Sequence, residues 1–174
     1  MSNLGSFEYQ YSVFSTSQPF NSEMVIELIK VQKKDNVHLQ ILDPTFIVSE
    51  KQIIAALNHT KKAFQREKNI ARDFTTEFLL RLSGKRQISN AINFLGIKDS
   101  CINIMIIAFG EKKEEIEYEF DVILKIISKK IDLQTKKKLP ITSLEKLALH
   151  YKCEENLEII EKKAFETMAA VEVL

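Results

Sequence analysis

Three polar residues that could bind an anion together, Lys85, Arg86 and Gln87, are consecutive in the chain. Gly84 comes directly before them and Gly96 closes the segment, and each glycine follows an apolar helical pattern. A helix often ends in a left-handed residue, a conformation that glycine adopts at the least cost. The tract is therefore predicted to place two cations and an amide at the start of a short helix, where phosphate binds well.

The segment around this tract is basic, although the whole protein is not. The 174 residues carry a net charge of +1, whereas residues 58–86 contain eight cations and only three anions. A local basic field inside a near-neutral protein can attract phosphate without making the whole surface adhesive. A solvated helix face explains the same charges equally well from sequence alone.

Signatures of catalysis are missing from the chain. It contains no phosphate-binding glycine loop of the P-loop or dinucleotide type, no nucleophile elbow, and three histidines without metal-ligand spacing. Cys101 opens an apolar run and is predicted to be a small buried residue. Glu77 needs no role beyond an ion pair with Arg81 one helical turn away. We therefore expect no catalytic residue, no metal and no cofactor.

The periodicity predicts an α+β, helix-rich single domain over residues 1–174, with a three- to four-stranded sheet flanked by helices. Ile102 to Phe109, almost entirely apolar, is predicted to be a central strand. The other strands are predicted at Phe7–Val13, at Val37–Ile41 and, as a short edge after a lysine-rich loop, near Leu139–Ile141. Helices are predicted at 23–34, 49–66, 76–82, 87–95, 114–127, 143–151 and 154–170.

Helix ends and the core follow from local patterns. Ser49 and Gln52 form a capping-box pattern, Asp73 or Thr75 caps the next helix, and Thr142 or Ser143 caps a later one. Met1 to Gly5 lacks the features of a signal peptide, and no apolar run could span a bilayer, so we expect a soluble, cytoplasmic protein. The predicted core comprises Ile53, Leu57, Phe64, Phe78, Leu79, Ile88, Ile92, Ile104 and Ile106.

The glycine-bounded tract resembles a known family. The pattern SG-x-RQI-x-x-AI followed by G-x-KD is similar to that of the small kinase-associated subunit of the KEOPS complex, the PRPK-binding-protein (TPRKB) family. The similarity runs from about Val48 to Asp99, and the order of elements continues to match beyond it. The matching positions are Gly84, Arg86, Gln87, Ile88, Ala91, Ile92, Gly96, Lys98 and Asp99. Lys85 fills a variable position, so its predicted role rests on charge alone.

The resemblance implies a non-catalytic subunit that binds and activates the small kinase-like ATPase (PRPK family) of KEOPS. That complex helps make threonylcarbamoyladenosine on tRNA, so the subunit would also act indirectly on the ATPase-fold modifying subunit. The family further implies recruitment of tRNA through its 3′ CCA end. The predicted RNA-binding residues are Lys61, Lys62, Arg72, Lys85, Arg86 and Gln87.

For the kinase contact, an apolar stripe on the last two helices is predicted to dock into a groove. Its residues are Leu144, Leu147, Leu157, Ile160, Ala164 and Met168, some of which must also hold the helices to their own domain. Two alternatives stay open from the sequence. One is a kinase-binding module without an RNA role; the other is a small enzyme using the surroundings of Cys101 or Glu77. In a eukaryote, the family would also imply a nuclear location.

Overall fold

The computed structural model describes residues 7–32 and 34–173. Residues 1–6, which include the Met1 to Gly5 segment, Lys33 and Leu174 lie outside this range. Over the described residues the chain forms a four-stranded antiparallel sheet and seven helices, which confirms the helix-rich α+β class. The strands are β1 (Glu8–Thr16), β2 (Val37–Leu42), β3 (Asn103–Gly110) and β4 (Leu133–Lys137). The helices are α1 (Ser22–Val31), α2 (Glu50–Gln65), α3 (Phe74–Ser83), α4 (Ile88–Leu95), α5 (Lys113–Ser128), α6 (Leu144–Tyr151) and α7 (Leu157–Val173).

The fold divides into two compact units. The sheet unit contains the chain up to residue 43 together with residues 96–137, and so holds all four strands with α1 and α5. The helical unit contains residues 44–95 and the chain from residue 138 onward, with α2, α3, α4, α6 and α7. The assignment of residues 1–174 to a single domain stays a prediction.

The sheet unit is organised around β3, as its apolar sequence predicts. The strand order is β2-β3-β1-β4, and β3 pairs antiparallel with β2 on one side and β1 on the other. Residues 104–110 are all buried, so neither face of the strand meets water. On one face Ile104 and Ile106 pack in a single apolar cluster with Val25 of α1 and Phe120 of α5.

The predicted edge strand is displaced. It was expected near Leu139–Ile141, but β4 spans Leu133–Lys137, inside what was predicted to be partly a loop. Four of its five residues are exposed, and the strand is rich in polar side chains. Lysine and other polar residues commonly protect sheet edges, so this strand lacks the apolar alternation by which strands are recognised. Pro140, which cannot donate to a ladder, follows a cis peptide bond beyond the strand.

Most of the predicted core is buried, with two errors and one intermediate case. Ile88 and Ile92 are 43% and 51% exposed, because the two-turn helix α4 buries the adjacent stripe of Ala91 and Leu95 instead. Phe64 is half-buried and stacks on Phe74, with ring centroids 4.0 Å apart.

The predicted helix caps are largely confirmed. Asp73 and Ser143 cap α3 and α6 with their side chains. Ser49 occupies the N-cap of α2 without a capping bond and donates instead to Glu161, while Gln52 accepts from the Val48 amide.

Ile104→Ala tests the position of β3 in the core. The side chain is fully buried, so its truncation should lower the free energy of unfolding by about 2–5 kcal/mol. Urea unfolding monitored by circular dichroism measures this. Ile102→Ala is the matched control: Ile102 is 72% exposed, and its truncation should cost less than about 0.5 kcal/mol. A loss below about 1 kcal/mol for Ile104→Ala would contradict the central position of the strand.

Candidate nucleic-acid interface

A buried ion pair organises the basic half of the helical unit. Glu77 and Arg81, one turn apart on α3, are 0% and 3% exposed. Nε and Nη2 of Arg81 donate to Glu77 Oε1 at 2.8 and 2.6 Å. This confirms the predicted pairing. Because the pair is buried, the loss of one partner destabilises the fold more than it would at the surface. Removing either partner would leave an uncompensated charge in the interior.

The second oxygen of Glu77 fixes the loop that precedes α3. Its Oε2 accepts from the backbone amides of Ile70 and Ala71 at 2.8 and 2.7 Å. Asp73 then starts α3 by accepting from the Thr76 amide. One carboxylate therefore holds both a helix and the loop that carries Lys68 and Arg72.

The end of α3 is fixed against α7. Gly84 has φ of +65°, and the amide of Lys85 bonds back to the Leu80 carbonyl, closing the helix. A Cβ on Gly84 would lie 2.6 Å from Thr167 Cγ2 and 2.9 Å from the Thr167 carbonyl oxygen. Glycine is therefore required by both conformation and space, and the left-handed conformation is the one predicted from the sequence. The same prediction was wrong for Gly96, whose φ is not positive.

The structure gathers part of the predicted RNA-binding set at one concavity of about 310 Å³. Lys62 and Arg86 line it, and so do Arg66 and Lys68, which sequence reasoning counted as basic but did not select. The remaining predicted residues, Lys61, Arg72, Lys85 and Gln87, are not among its lining residues. We call this site the basic concavity; its other lining residues are Ala63, Ile70, Arg81, Val171 and Glu172.

Positive charge dominates the basic concavity. Arg81 is neutralised by Glu77, so the surplus comes from Lys62, Arg66, Lys68 and Arg86. The one carboxylate in the lining, Glu172, lies 2.7 Å from His59 Nδ1 and 3.7 Å from Arg81 Nη1. Arg86 Nη1 donates to the Val171 carbonyl at 2.8 Å, which holds that guanidinium near the end of α7. Clustered cations of this kind attract phosphate and release counterions on binding it.

Lys85, although adjacent to Arg86, serves a different surface. Its Nζ lies 5.6 Å from the ring centroid of Phe94 on α4. Phe94 in turn stacks with Phe46 and His150. Sequence reasoning missed this aromatic group because its three members are far apart in the chain. Gln87 stays on the exposed turn, where its side-chain oxygen accepts from Asn90.

Burial divides the apolar stripe that was predicted to dock on a kinase. Leu147, Ile160 and Ala164 belong to a buried cluster of the helical unit that includes Val48, and Met168 is only 3% exposed. These four side chains hold the helical unit together, so we withdraw them as docking residues. Leu144 and Leu157 are 36% and 44% exposed and stay available at the surface. A helical stripe in a sequence has no mark that separates core from contact surface.

The two positions considered for catalysis are engaged otherwise. Burial raises the pKa of the Cys101 thiol, and its Sγ lies 3.2 Å from the Lys98 amide and 3.5 Å from Asp43 Oδ2. A raised pKa disfavours the thiolate that a nucleophile needs. Glu77 already accepts four hydrogen bonds. Among the described residues, no group of three or more His, Cys, Asp and Glu side chains could hold a metal ion, and no helix is long and apolar enough to cross a membrane.

Comparison with known proteins gives one family match and two similar relatives. The profile of the family described as Kinase binding protein CGI-121 matches residues 20–172. Regulatory protein Cgi121 of Methanocaldococcus jannaschii is 36% identical over 80 residues, which is 46% of this chain and 51% of that protein. EKC/KEOPS complex subunit TPRKB of Danio rerio is 27% identical over 107 residues, 62% of this chain and 61% of that protein. The chain thus spans about half to three-fifths of the length of these relatives.

Glu77→Ala tests the buried ion pair. It leaves Arg81 and two loop amides without their acceptor, so the free energy of unfolding should fall by about 3–5 kcal/mol. Thermal and urea unfolding measure the change. Glu155→Ala, which removes an exposed carboxylate of the same unit, should stay within about 0.5 kcal/mol of the original protein. Equal stability of the two variants would show that the pair does not organise the unit.

Proposed function

We propose that this protein, which belongs to the Kinase binding protein CGI-121 family, is a non-catalytic accessory subunit of a KEOPS-type complex. In this role it binds and activates the small kinase-like ATPase of the complex and helps recruit tRNA for threonylcarbamoyladenosine modification through the 3′ CCA end. We place this function in the cytoplasm and, if the source is a eukaryote, also in the nucleus. The family match over residues 20–172 carries this proposal.

The basic concavity supports the RNA part of the proposal. Four cations from α2, from the loop after it and from the turn after α3 line one hollow. Several cations spread over one hollow can bind successive phosphates of an RNA backbone, and each neutralised phosphate releases counterions. Arg66 and Lys68 therefore join the predicted set of Lys61, Lys62, Arg72, Lys85, Arg86 and Gln87. The basic concavity would bind the RNA backbone without recognising the RNA sequence.

The kinase contact is proposed on the exposed apolar residues of the last two helices. Leu144 opens α6 and Leu157 opens α7, and both are partly accessible. Burial of such side chains in a groove, with charged neighbours at the rim, provides the affinity and fixes the register. The ATPase gains activity in this scheme from being held in one arrangement, while this chain supplies no reacting group.

A kinase-binding module without an RNA role is the second candidate. The Arg81–Glu77 pair and the contact of Arg86 with Val171 show that some cations of the basic segment have structural partners. If all of the remaining cations were only a solvated face, tRNA affinity would be absent while kinase binding persisted. The two candidates therefore differ in one measurable quantity.

A tRNA titration tests the RNA role. Lys62→Glu/Arg86→Glu should weaken binding and lower the salt slope, by about 0.7 for each single-strand phosphate contact removed. Removal of the 3′ CCA from the tRNA should weaken binding by the original protein. Lys129→Glu/Lys130→Glu, a reversal of two exposed cations of the sheet unit, is the matched control and should change neither quantity. Equal affinity for both RNAs, with no response to Lys62→Glu/Arg86→Glu, would leave only the kinase-binding role.

Co-purification with the kinase tests the docking surface. Leu144→Asp/Leu157→Asp places charges on an interface that should be apolar, so kinase binding should weaken by about tenfold or more. Activation of the ATPase should fall in parallel. Ile102→Asp, an equally polar change at an exposed site of the sheet unit, should leave both intact. If the double variant binds the kinase normally, the docking surface lies elsewhere on the chain.

A further inference from the structure

Three rings from separate segments of the helical unit form what we call the aromatic stack: Phe46, Phe94 and His150. Phe46 precedes α2, Phe94 is on α4 and His150 is on α6. The centroid of Phe46 lies 4.0 Å from that of His150 and 5.6 Å from that of Phe94. Phe94 and His150 are 5.1 Å apart, and the three interplanar angles are between 10° and 21°. The three ring planes are therefore nearly parallel.

The stack lies at the surface of the helical unit. His150 is exposed and the two phenylalanines are only half-buried. Phe46 also packs against the buried cluster around Leu147, which gives it a structural role.

Neighbouring bonds hold the stack in place before any ligand arrives. The Tyr151 hydroxyl donates to the backbone carbonyl of Phe46 at 2.8 Å, and the Tyr151 ring stands at 89° to the imidazole of His150. Thr142 Oγ1 donates to the Thr45 carbonyl at 2.7 Å. These bonds tie the segment before α2 to α6 and to the turn leading into it. A ligand that stacks there meets a preformed surface and loses less entropy on binding.

A lysine ammonium lies over the ring of each phenylalanine. Lys85 Nζ is 5.6 Å from the Phe94 centroid, and Lys146 Nζ is 5.9 Å from the Phe46 centroid. Partial desolvation by the neighbouring rings, and then the charge of Lys85, lower the pKa of His150, which favours the neutral imidazole. The surface is thus a neutral aromatic platform with two cations close to it. Planar π-systems that carry negative groups on either side fit this arrangement, and a nucleotide in a single strand is such a group.

We propose that the aromatic stack binds an unpaired base of single-stranded RNA, with Lys85 and Lys146 meeting the phosphates beside that base. The choice of RNA as the ligand rests on the proposed function. The aromatic stack would be a second RNA contact in addition to the basic concavity. Stacking is tolerant of base identity because every base has a π-face. The proposal also gives a role to Lys85, which follows Gly84 and does not line the basic concavity.

Binding of short single-stranded RNAs tests the stack. One RNA contains 2-aminopurine, whose fluorescence reports stacking, and a second of equal length and charge is abasic at every position, because any remaining base could stack. His150→Ala should weaken binding of the first RNA by about 5- to 150-fold, the range for one lost stacked base, and abolish the fluorescence change. The abasic RNA should bind the original protein and His150→Ala within about twofold of each other, since no base is present to stack.

Two further variants keep the test specific. His150→Tyr restores an aromatic ring and should recover most of the affinity for the RNA containing 2-aminopurine. Leu149→Ala changes an adjacent exposed side chain, 80% accessible, and should leave affinity unchanged. Thermal unfolding of each variant verifies that the fold is intact.

Several outcomes overturn the stack without overturning the proposed function. If His150→Ala weakens both RNAs equally, or neither, base stacking is wrong and the rings serve only to join α6 to the segment before α2. Loss of tRNA binding in Lys62→Glu/Arg86→Glu would then still support recruitment through the basic concavity. Failure of the original protein to bind the intact RNA, at any salt concentration, also overturns the stack.

Discussion

Glu77 places a full negative charge in the interior of the helical unit, and the arrangement of that unit depends on how the charge is satisfied. Four donors meet the carboxylate: two from Arg81 and the amides of Ile70 and Ala71. A buried carboxylate with fewer partners would be strongly destabilising, so the loop before α3 has little freedom to leave it. The cost of burial thus becomes a positional constraint. Exposed cations on that loop are held on a fixed frame, although their own side chains are solvated.

The same pair also shapes the electrostatic field. Arg81 lines the basic concavity but contributes little net charge there, because Glu77 compensates it at hydrogen-bonding distance. The attraction for anions comes from Lys62, Arg66, Lys68 and Arg86. Separation of a structural arginine from the cations around it gives a hollow that is positive without leaving an unpaired charge in the core.

The turn at Gly84 places the next two residues, Lys85 and Arg86, on different surfaces. Its left-handed backbone ends α3 against Thr167, so the chain turns sharply at this point. Arg86 reaches the end of α7 and the basic concavity, while Lys85 approaches Phe94 of the aromatic stack. A residue with a Cβ could not fit the turn, and a longer loop would not fix both side chains. The two surfaces are therefore linked by a backbone feature rather than by contact between their side chains.

Features that depend on residues close together in the sequence could be predicted, and features that depend on distant residues could not. The cap at Asp73, the turn at Gly84 and the apolar strand β3 are local features, written within a few consecutive residues. The polar edge strand β4 has no such pattern, and α4 is too short for its periodicity to show whether Ile88 or Ala91 faces inward. The aromatic stack unites positions 46, 94 and 150, and the basic concavity selects among cations by folding. Both depend on contacts between distant segments, which a single sequence does not specify.

The apolar stripe of α7 shows why burial matters for the functional argument. Ile160, Ala164 and Met168 are interior, and the same helix presents Thr167 to Gly84, Val171 to Arg86 and Glu172 to Arg81 and His59. This helix is therefore a support for the basic concavity along much of its length. A charge introduced at Met168 would disturb the core first and the concavity next, so a loss of any binding by such a variant would not identify a docking surface. Only side chains that are exposed, such as Leu144 and Leu157, can separate contact with a partner from support of the fold.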